Sequence, residues 1–171
     1  NPLVGPVPGL RNFWAACGCM GGFSQGGAIG KVLSDWIVKG DPGTDIFGMD
    51  VARYGKFAAD DRYLRDTTAQ FYARRFVIAY PNEELPAGRP LKTTPSYAAQ
   101  KALGARFGVV WGMESPQYFA TGEPDFVEPP TLRRSTADRF VAAEVAATRA
   151  AAGLLDTGVY ARYEVRGPGA G

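Results

Sequence analysis

Apolar residues recur at helical spacing early in the chain and predict its clearest helix. One helix face would carry the apolar positions i, i+3, i+4, i+7 and i+8, namely Ile29, Val32, Leu33, Trp36 and Ile37. We expect this helix to begin near Gly27 and to end at Lys39, because Gly40 is a favourable residue for terminating a helix and Pro42 prevents continuation.

Three more helices are predicted from the same kind of pattern. Two long ones span about Asp60 to Phe76 and about Asp138 to Ala152, and a short one spans about Ser96 to Leu103, with Ser96 or Thr94 as a possible cap. The apolar stripe of the first is expected at Leu64, Thr68, Phe71 and Tyr72, and that of the second at Val141, Val145, Thr148 and Ala152.

Extended segments alternate with these helices. The strand predicted over Leu10 to Gly18 ends in a continuous apolar run, as expected where both faces of a strand are covered. Further strands are predicted over Val77 to Tyr80, Ala105 to Trp111 and Tyr160 to Arg166, the last from its alternation of polar and apolar residues. Glycine-rich and proline-rich connections separate the elements, at residues 41–55, 81–95 and 122–130. Together these patterns predict an α+β fold.

Composition excludes several functions. The 171 residues contain no histidine and carry a formal net charge of +2 without a basic run, so His-based catalysis is absent and neither nucleic acid nor an anionic membrane is an expected partner. Cys17 and Cys19 cannot complete a zinc site alone. We interpret them as small residues lining a buried segment, in preference to a redox or metal role, and we predict no metal site.

The stretch from Gly18 to Lys31 is the part of the sequence most suggestive of chemistry. Its glycines allow a ligand close to the backbone, and the helix N terminus that follows favours negative charge. Gln25 and Val32 break the spacing of the common phosphate-binding loops, so Lys31 is not expected to bind phosphate. Two readings remain open here: a turn that contacts a polar or anionic cofactor, and a tight turn whose glycines serve only packing.

Several blocks of the sequence resemble the dimethylglycine and sarcosine dehydrogenase family of FAD-dependent amine oxidoreductases. Residues 9–18, the glycine loop and residues 30–42 are similar to the end of its FAD-binding domain, and Asp50 to Phe57 to the segment that follows. The blocks that follow resemble the next domains of the family in the same order. Its central domain is matched at residues 80–84, 88–95 and 111–114, and the start of its folate-binding domain at residues 154–158 and 163–170.

The resemblance implies a fold and a domain organisation. Residues 1–58 would be the end of a D-amino-acid-oxidase-like FAD-binding domain, contributing its last strand, loop and helix. Residues 59–135 would be the central connecting domain, and residues 136–171 the start of an aminomethyltransferase-like, folate-binding domain. The opening at Asn1 and the ending at Gly171 led us to expect an internal piece of a longer protein.

The resemblance also implies an activity. Family members oxidatively demethylate small N-methyl amino acids, releasing formaldehyde or passing the one-carbon unit to tetrahydrofolate in the downstream domain, with oxygen or an electron-transfer protein as acceptor. The residues implied to lie against the FAD are Gly18, Cys19, Met20, Gly21, Gly22 and Phe23. No catalytic residue is assigned within the chain, which we expect to be inactive alone, in the cytoplasm or, alternatively, the mitochondrial matrix.

Other conspicuous residues are expected to be structural. Arg89 and Glu114 are interpreted as buried partners that join domains, and Asp156 as a turn residue in a region that positions the folate domain. Trp14, Trp36 and Trp111 are read as core or interface aromatics. An alternative function for the chain is a catalytically inactive binding or structural module derived from the same family.

Overall fold

The computed structural model describes residues 2–170 and has an α+β fold, as predicted. The chain has two compact units, residues 1–58 and residues 59–171. The first contains strands β1 (Leu3–Pro6) and β2 (Trp14–Cys17) and helix α1 (Gly22–Lys39). The second contains α2 (Asp61–Ala73), α3 (Tyr97–Ala102), β3 (Ala105–Val110), β4 (Met113–Phe119) and α4 (Asp138–Ala150).

The first unit is built on an antiparallel hairpin of β1 and β2, with Leu3 opposite Cys17 and Pro6 opposite Trp14. The predicted strand is confirmed at its apolar end, whereas the expectation that both of its faces are covered is wrong. Ala16 and Cys17 are exposed, because the described residues contain only two strands here and place no layer over that part of the hairpin.

Helix α1 begins at Gly22, so the predicted glycine loop is wrong from that residue onward. Glycine lowers helix propensity by about 1 kcal/mol but does not forbid the conformation. The amides of Ser24 and Gln25 both donate to the carbonyl of Gly21, at 3.0 and 2.9 Å, and so start the helix. Its end is as predicted: Gly40 caps the helix, and its amide donates to the carbonyl of Trp36.

Packing in this unit depends on close contact between the hairpin and α1. Val4 and Ile29 are its buried apolar residues, and the rings of Trp14 and Trp36 meet edge to face with centroids 5.9 Å apart. A Cβ atom added at Gly5 would lie 2.6 Å from Cζ3 of Trp36, and the φ angle of Gly5 is +128°. Only glycine therefore fits at this position of β1.

We expect Gly5→Ala to lower the free energy of unfolding by about 2–4 kcal/mol, because a forced positive φ and an overfilled contact add together. Gly9→Ala is the matched control: Gly9 also has a positive φ, +82°, but its Cβ would meet nothing within 4 Å. It should cost about 1 kcal/mol, from the backbone alone. Urea unfolding followed by tryptophan fluorescence measures both, and equal losses would contradict the packing argument.

The second unit contains a hairpin of which only the first strand was predicted. Trp111 and Gly112, with φ angles of 50° and 77°, form its two-residue turn, as in a type I′ turn. The register places Val110 opposite Met113 and shifts between Arg106 and Phe107. Pro116 interrupts the apolar pattern of β4, so the sequence does not indicate this strand. The register shift is a β-bulge next to the pairing position of that proline.

Helix α4 packs through a face different from the predicted one. The buried cluster contains Phe140, Ala137 and Ala120, with Tyr118 and Phe126 against it. Phe140 and Phe126 meet edge to face with centroids 5.0 Å apart. The four residues of the predicted apolar stripe are all exposed. Contacts with the aromatic cluster bury Phe140 instead of Val141, so the packed face lies one residue away from the predicted one. Arg106 holds the connection between β4 and α4 in place. Its guanidinium donates to the carbonyls of Glu123, Pro124 and Phe126 in that connection, and also to that of Gly104.

The remaining elements of the second unit are helices and irregular segments. Helix α2 is confirmed, and the side chain of Asp60 caps it by accepting from the amide of Tyr63 at 2.7 Å. Its predicted apolar stripe is wrong, because Leu64, Thr68, Phe71 and Tyr72 are all exposed. The half-buried face carries Tyr63, Thr67 and Gln70 instead, since the connection at Ala87 and Gly88 packs against it. The irregular connection over 81–95 and the short helix α3 are also as predicted. Strands over 77–80 and 160–166 are not formed, because neither segment pairs with a neighbouring strand that would supply ladder hydrogen bonds.

Candidate functional site

The six residues predicted to contact a cofactor are the turn between β2 and α1 and the first two residues of α1. Gly18 has a φ of +70°, and the amide of Met20 donates to the Gly18 carbonyl at 3.0 Å, so the chain bends sharply after the strand. Gly21 occupies the N-cap position without a side-chain cap bond, and no acidic residue lies in the first turn of α1. The first-turn amides of Gly22 and Phe23 have no acceptor inside the helix, as in any α-helix. We call residues 18–23 the glycine turn.

The surface of the glycine turn is open. Met20 and Phe23 are exposed, with Phe23 fully so. Along α1, Gly22, Gly26 and Gly30 follow one another at i+4 spacing, and a Cβ at any of them would meet nothing within 4 Å. Each glycine costs about 1 kcal/mol of helix propensity relative to alanine. Packing within the described unit therefore does not explain these glycines.

Charges near α1 are paired locally. Lys31 and Lys39 both form ion pairs with Asp35, one helical turn to either side. Hydrogen bonds first from Lys31 and then from Lys39 lower the pKa of Asp35 below its ordinary value. Lys31 thus pairs with a carboxylate on its own helix, and the prediction that it does not bind phosphate stays a prediction.

Arg89 and Glu114 form the most buried ion pair among the described residues. Nε and Nη2 of Arg89 donate to the two carboxylate oxygens of Glu114 at 2.9 and 2.7 Å. Nη2 also donates to the carbonyl of Phe107 at 2.7 Å, and Nη1 lies 3.1 Å from Glu84. Hydrogen bonding to Glu114 raises the pKa of Arg89. The prediction that Arg89 and Glu114 are buried partners is confirmed. That they join domains and have a structural role stays a prediction.

Asp156 is the centre of a second polar cluster. Its Oδ2 accepts from Ser96 Oγ, Gln100 Nε2 and Thr94 Oγ1, at 2.6, 2.9 and 3.0 Å, and its Oδ1 accepts from the amide of Gly158 at 2.8 Å. The hydrogen bond from Ser96 contributes most to lowering the pKa of Asp156 to about 2. The carboxylate thus fastens the segment after α4 to the N-terminal end of α3.

We expect Asp156→Asn to lower the stability of the chain by about 1 kcal/mol at neutral pH, because the amide cannot accept all four bonds and solvent reaches the site. The folded-state pKa lies below the ordinary value of 3.8. The contribution of Asp156 is therefore complete above about pH 4 and is lost as the pH falls toward 2. Unfolding free energies of the two proteins should converge across that interval.

Asp125→Asn removes the same charge from an exposed position and serves as the control. Its stability should stay close to that of the unchanged protein from neutral pH downward. The stability loss caused by Asp156→Asn should be smaller at pH 2 than at pH 7. An equal loss of unfolding free energy at both pH values would contradict the role of the carboxylate charge in binding the four donors.

The sequence predicted the glycine turn but not the donors around Asp156. Ser96 was interpreted as a helix cap, yet it makes no cap bond and turns its hydroxyl to Asp156. Trp14 and Trp36 are packed aromatics as expected, while Trp111 lies half exposed in its hairpin turn. Cys17 is exposed and Cys19 half-buried, so the expectation that both line a buried segment is wrong. Residues 2–170 contain no cluster of His, Cys, Asp or Glu suited to a metal and no helix that meets the length and hydropathy needed to cross a membrane.

Two family models match consecutive parts of the chain. The FAD dependent oxidoreductase central domain matches residues 39–94, and the GCVT N-terminal domain matches residues 96–171. Dimethylglycine dehydrogenase of Rattus norvegicus is 31% identical over 166 residues, which is 97% of this chain. The chain belongs to the dimethylglycine and sarcosine dehydrogenase family.

Other relatives also align with almost the whole chain. The 4-methylaminobutanoate oxidase (formaldehyde-forming) of Paenarthrobacter nicotinovorans is 33% identical over 99% of the chain. The pyruvate dehydrogenase phosphatase regulatory subunit of Mus musculus is 26% identical over 98% of it. The chain spans only about a fifth of these proteins, 19% of the rat dehydrogenase, 21% of the oxidase and 20% of the regulatory subunit.

Proposed function

We propose that this chain is part of an FAD-dependent oxidoreductase that oxidatively demethylates N-methyl amino acids such as dimethylglycine or sarcosine. The observation that carries the proposal is the alignment of nearly the entire chain with a dimethylglycine dehydrogenase, together with the match to a central domain of FAD dependent oxidoreductases. The one-carbon unit would leave as formaldehyde, as the name of the Paenarthrobacter oxidase states for that enzyme, or pass to tetrahydrofolate.

The residues of the glycine turn fit a cofactor with a flat, partly anionic edge. No acidic residue lies in the first turn of α1, so no side-chain charge there would repel an anionic group. The exposed Gly22 and Gly26 would let a flat ring approach the backbone of the helix. When bound, FAD supplies the two-electron acceptor for the N-methyl carbon. The first-turn amides of α1 would favour negative charge at the edge of the flavin ring next to them. The exposed side chains of Met20 and Phe23 would contact the ring beside that edge.

A charge introduced at Gly22 tests this role separately from folding. An aspartate in the first turn stabilises an isolated helix, by about 0.3–1 kcal/mol, because it complements the helix dipole. In the full-length parent protein, Gly22→Asp should nevertheless lower flavin content about tenfold relative to Gly22→Asn, which has the same shape without the charge. Equal flavin content in the two variants, with unchanged far-ultraviolet circular dichroism, would remove the glycine turn from the cofactor site.

Activity of the parent protein is tested with dimethylglycine, sarcosine and 4-methylaminobutanoate. Flavin absorbance should bleach on anaerobic addition of the preferred substrate, and formaldehyde should appear in the absence of tetrahydrofolate. Repeating the assay with oxygen and with an electron-transfer protein identifies the acceptor. The division into domains at residues 1–58, 59–135 and 136–171 stays a prediction, as does the compartment: the rat relative is named as mitochondrial, and the Paenarthrobacter name states none.

The alternative function is a catalytically inactive regulatory or structural module. It is favoured by one observation, the alignment with a phosphatase regulatory subunit over 98% of the chain. A parent protein of this class would purify without flavin absorbance and would not oxidise any of the three amines. An enzyme would show both properties, so one spectrum and one substrate screen separate the two functions.

A further inference from the structure

Two thiols flank the first glycine of the glycine turn. Cys17 is the last residue of β2 and is exposed, and Cys19, which is half-buried, follows after a single residue. Both are free thiols in this structure. Since no other cysteine occurs in the 171 residues, a disulfide within this chain would join these two.

The backbone between the two thiols is already bent. Gly18 has a φ of +70°, and the bond from the amide of Met20 to the Gly18 carbonyl continues the bend through Cys19. The Sγ atom of Cys19 lies 3.8 Å from the carbonyl oxygen of Cys17, so its thiol is folded back over the preceding cysteine. A disulfide requires the two Cα atoms to be roughly 4.4–6.8 Å apart. Consecutive Cα atoms are about 3.8 Å apart, so an extended C-x-C segment would exceed this range, whereas a bend brings its two cysteines within it.

We propose that Cys17 and Cys19 form a redox-active dithiol that closes reversibly to an intramolecular disulfide across Gly18. The inference rests on exposure and backbone geometry and does not depend on the proposed enzymatic function. Gly18 is suited to the centre of such a ring because it has no Cβ atom to crowd the two sulfurs and already holds a positive φ.

The oxidant that fits this exposed pair is a small disulfide such as oxidised glutathione. The Cys17 thiolate attacks one glutathione sulfur, which forms a mixed disulfide and releases one glutathione thiolate. The Cys19 thiolate then attacks Sγ of Cys17, which forms the intramolecular bond and releases the second glutathione. The two protons lost by the cysteines end on the two glutathione thiolates. One glutathione disulfide is thereby reduced to two thiols as the dithiol is oxidised.

Closure would change only the start of the glycine turn. The ring joins the end of β2 to the residue just before Met20 and leaves α1, which begins at Gly22, outside it. Oxidation would therefore fix residues 17–19 and remove two thiols from the surface while the helix N terminus remains available. A cofactor or partner that contacts this turn would meet two different surfaces, depending on the redox state.

The test is an equilibrium titration of the 171-residue chain with reduced and oxidised glutathione, quenched with acid and read by mass spectrometry. The expected product has lost two hydrogen atoms and carries no glutathione. Any C-x-C peptide can close, so the same titration in concentrated urea provides the reference. We expect the equilibrium constant to be about tenfold larger in the folded chain, because the backbone of Gly18 is fixed in advance.

Single substitutions identify the two roles. Cys19→Ser should accumulate a stable mixed disulfide with glutathione at Cys17, because the second attack is lost. Cys17→Ser should react more slowly, since Cys19 is less exposed. Glutathione adducts that persist in the unchanged chain, or an equilibrium constant no larger in buffer than in urea, would overturn the proposal.

Discussion

Arg89→Met is expected to lower the free energy of unfolding by about 3–5 kcal/mol, because it leaves the Glu114 carboxylate buried without its partner. Glu114 is 3% exposed, and two of the four hydrogen bonds of Arg89 hold its carboxylate. The same substitution also removes the donor to the Phe107 carbonyl. Urea unfolding followed by circular dichroism measures the loss.

Two further variants separate the charge from the packing at this site. Replacing both partners, Arg89→Met with Glu114→Leu, should recover most of the lost stability, since a buried pair exchanged for apolar residues costs little. Arg134→Ala breaks the exposed pair with Asp138 and should cost about 0–1 kcal/mol. If the double variant is as unstable as Arg89→Met alone, the bonds to Phe107 and Glu84 matter more than Glu114.

Much of the secondary structure could be predicted from local patterns, whereas the missed strand depends on pairing with another strand. The end of α1 at Gly40 and the cap of α2 at Asp60 depend on residues that lie within the same element. Strand β4 depends on a turn at Trp111 and Gly112 and on tolerance of Pro116 at a bulge, neither of which produces an apolar alternation. Pairing with another strand decides such cases, and one sequence does not show it.

The polar sites divide in the same way. The glycine turn was predicted because its residues are consecutive. The role of Arg89 and Glu114 as partners was also anticipated, although 25 positions separate them and the hydrogen bond to Phe107 was not foreseen. The three side-chain donors to Asp156 come from 56 to 62 positions away, and these residues, Thr94, Ser96 and Gln100, are types common on protein surfaces. Only the folded chain brings them to one carboxylate.

The apolar face predicted for α4 begins at Val141, whereas the face buried in the structure begins one residue earlier, at Phe140. Substitutions at these two neighbouring positions therefore test which face of the helix packs. Phe140 is 8% exposed and packs against Tyr118 and Phe126, whereas Val141 is 42% exposed. Phe140→Ala should therefore lower the free energy of unfolding by about 3–5 kcal/mol, since it removes buried apolar area and leaves a cavity among aromatic rings.

Val141→Ala is the matched control on the face predicted from the sequence, and it should cost less than about 1 kcal/mol because a half-exposed valine buries little area in the folded chain. Near-ultraviolet circular dichroism should lose the aromatic signal of the cluster only in Phe140→Ala. A larger loss in Val141→Ala would mean that α4 packs through its predicted stripe. That outcome would also displace Glu144, which accepts from the amide of Phe119 at 2.7 Å on the observed face.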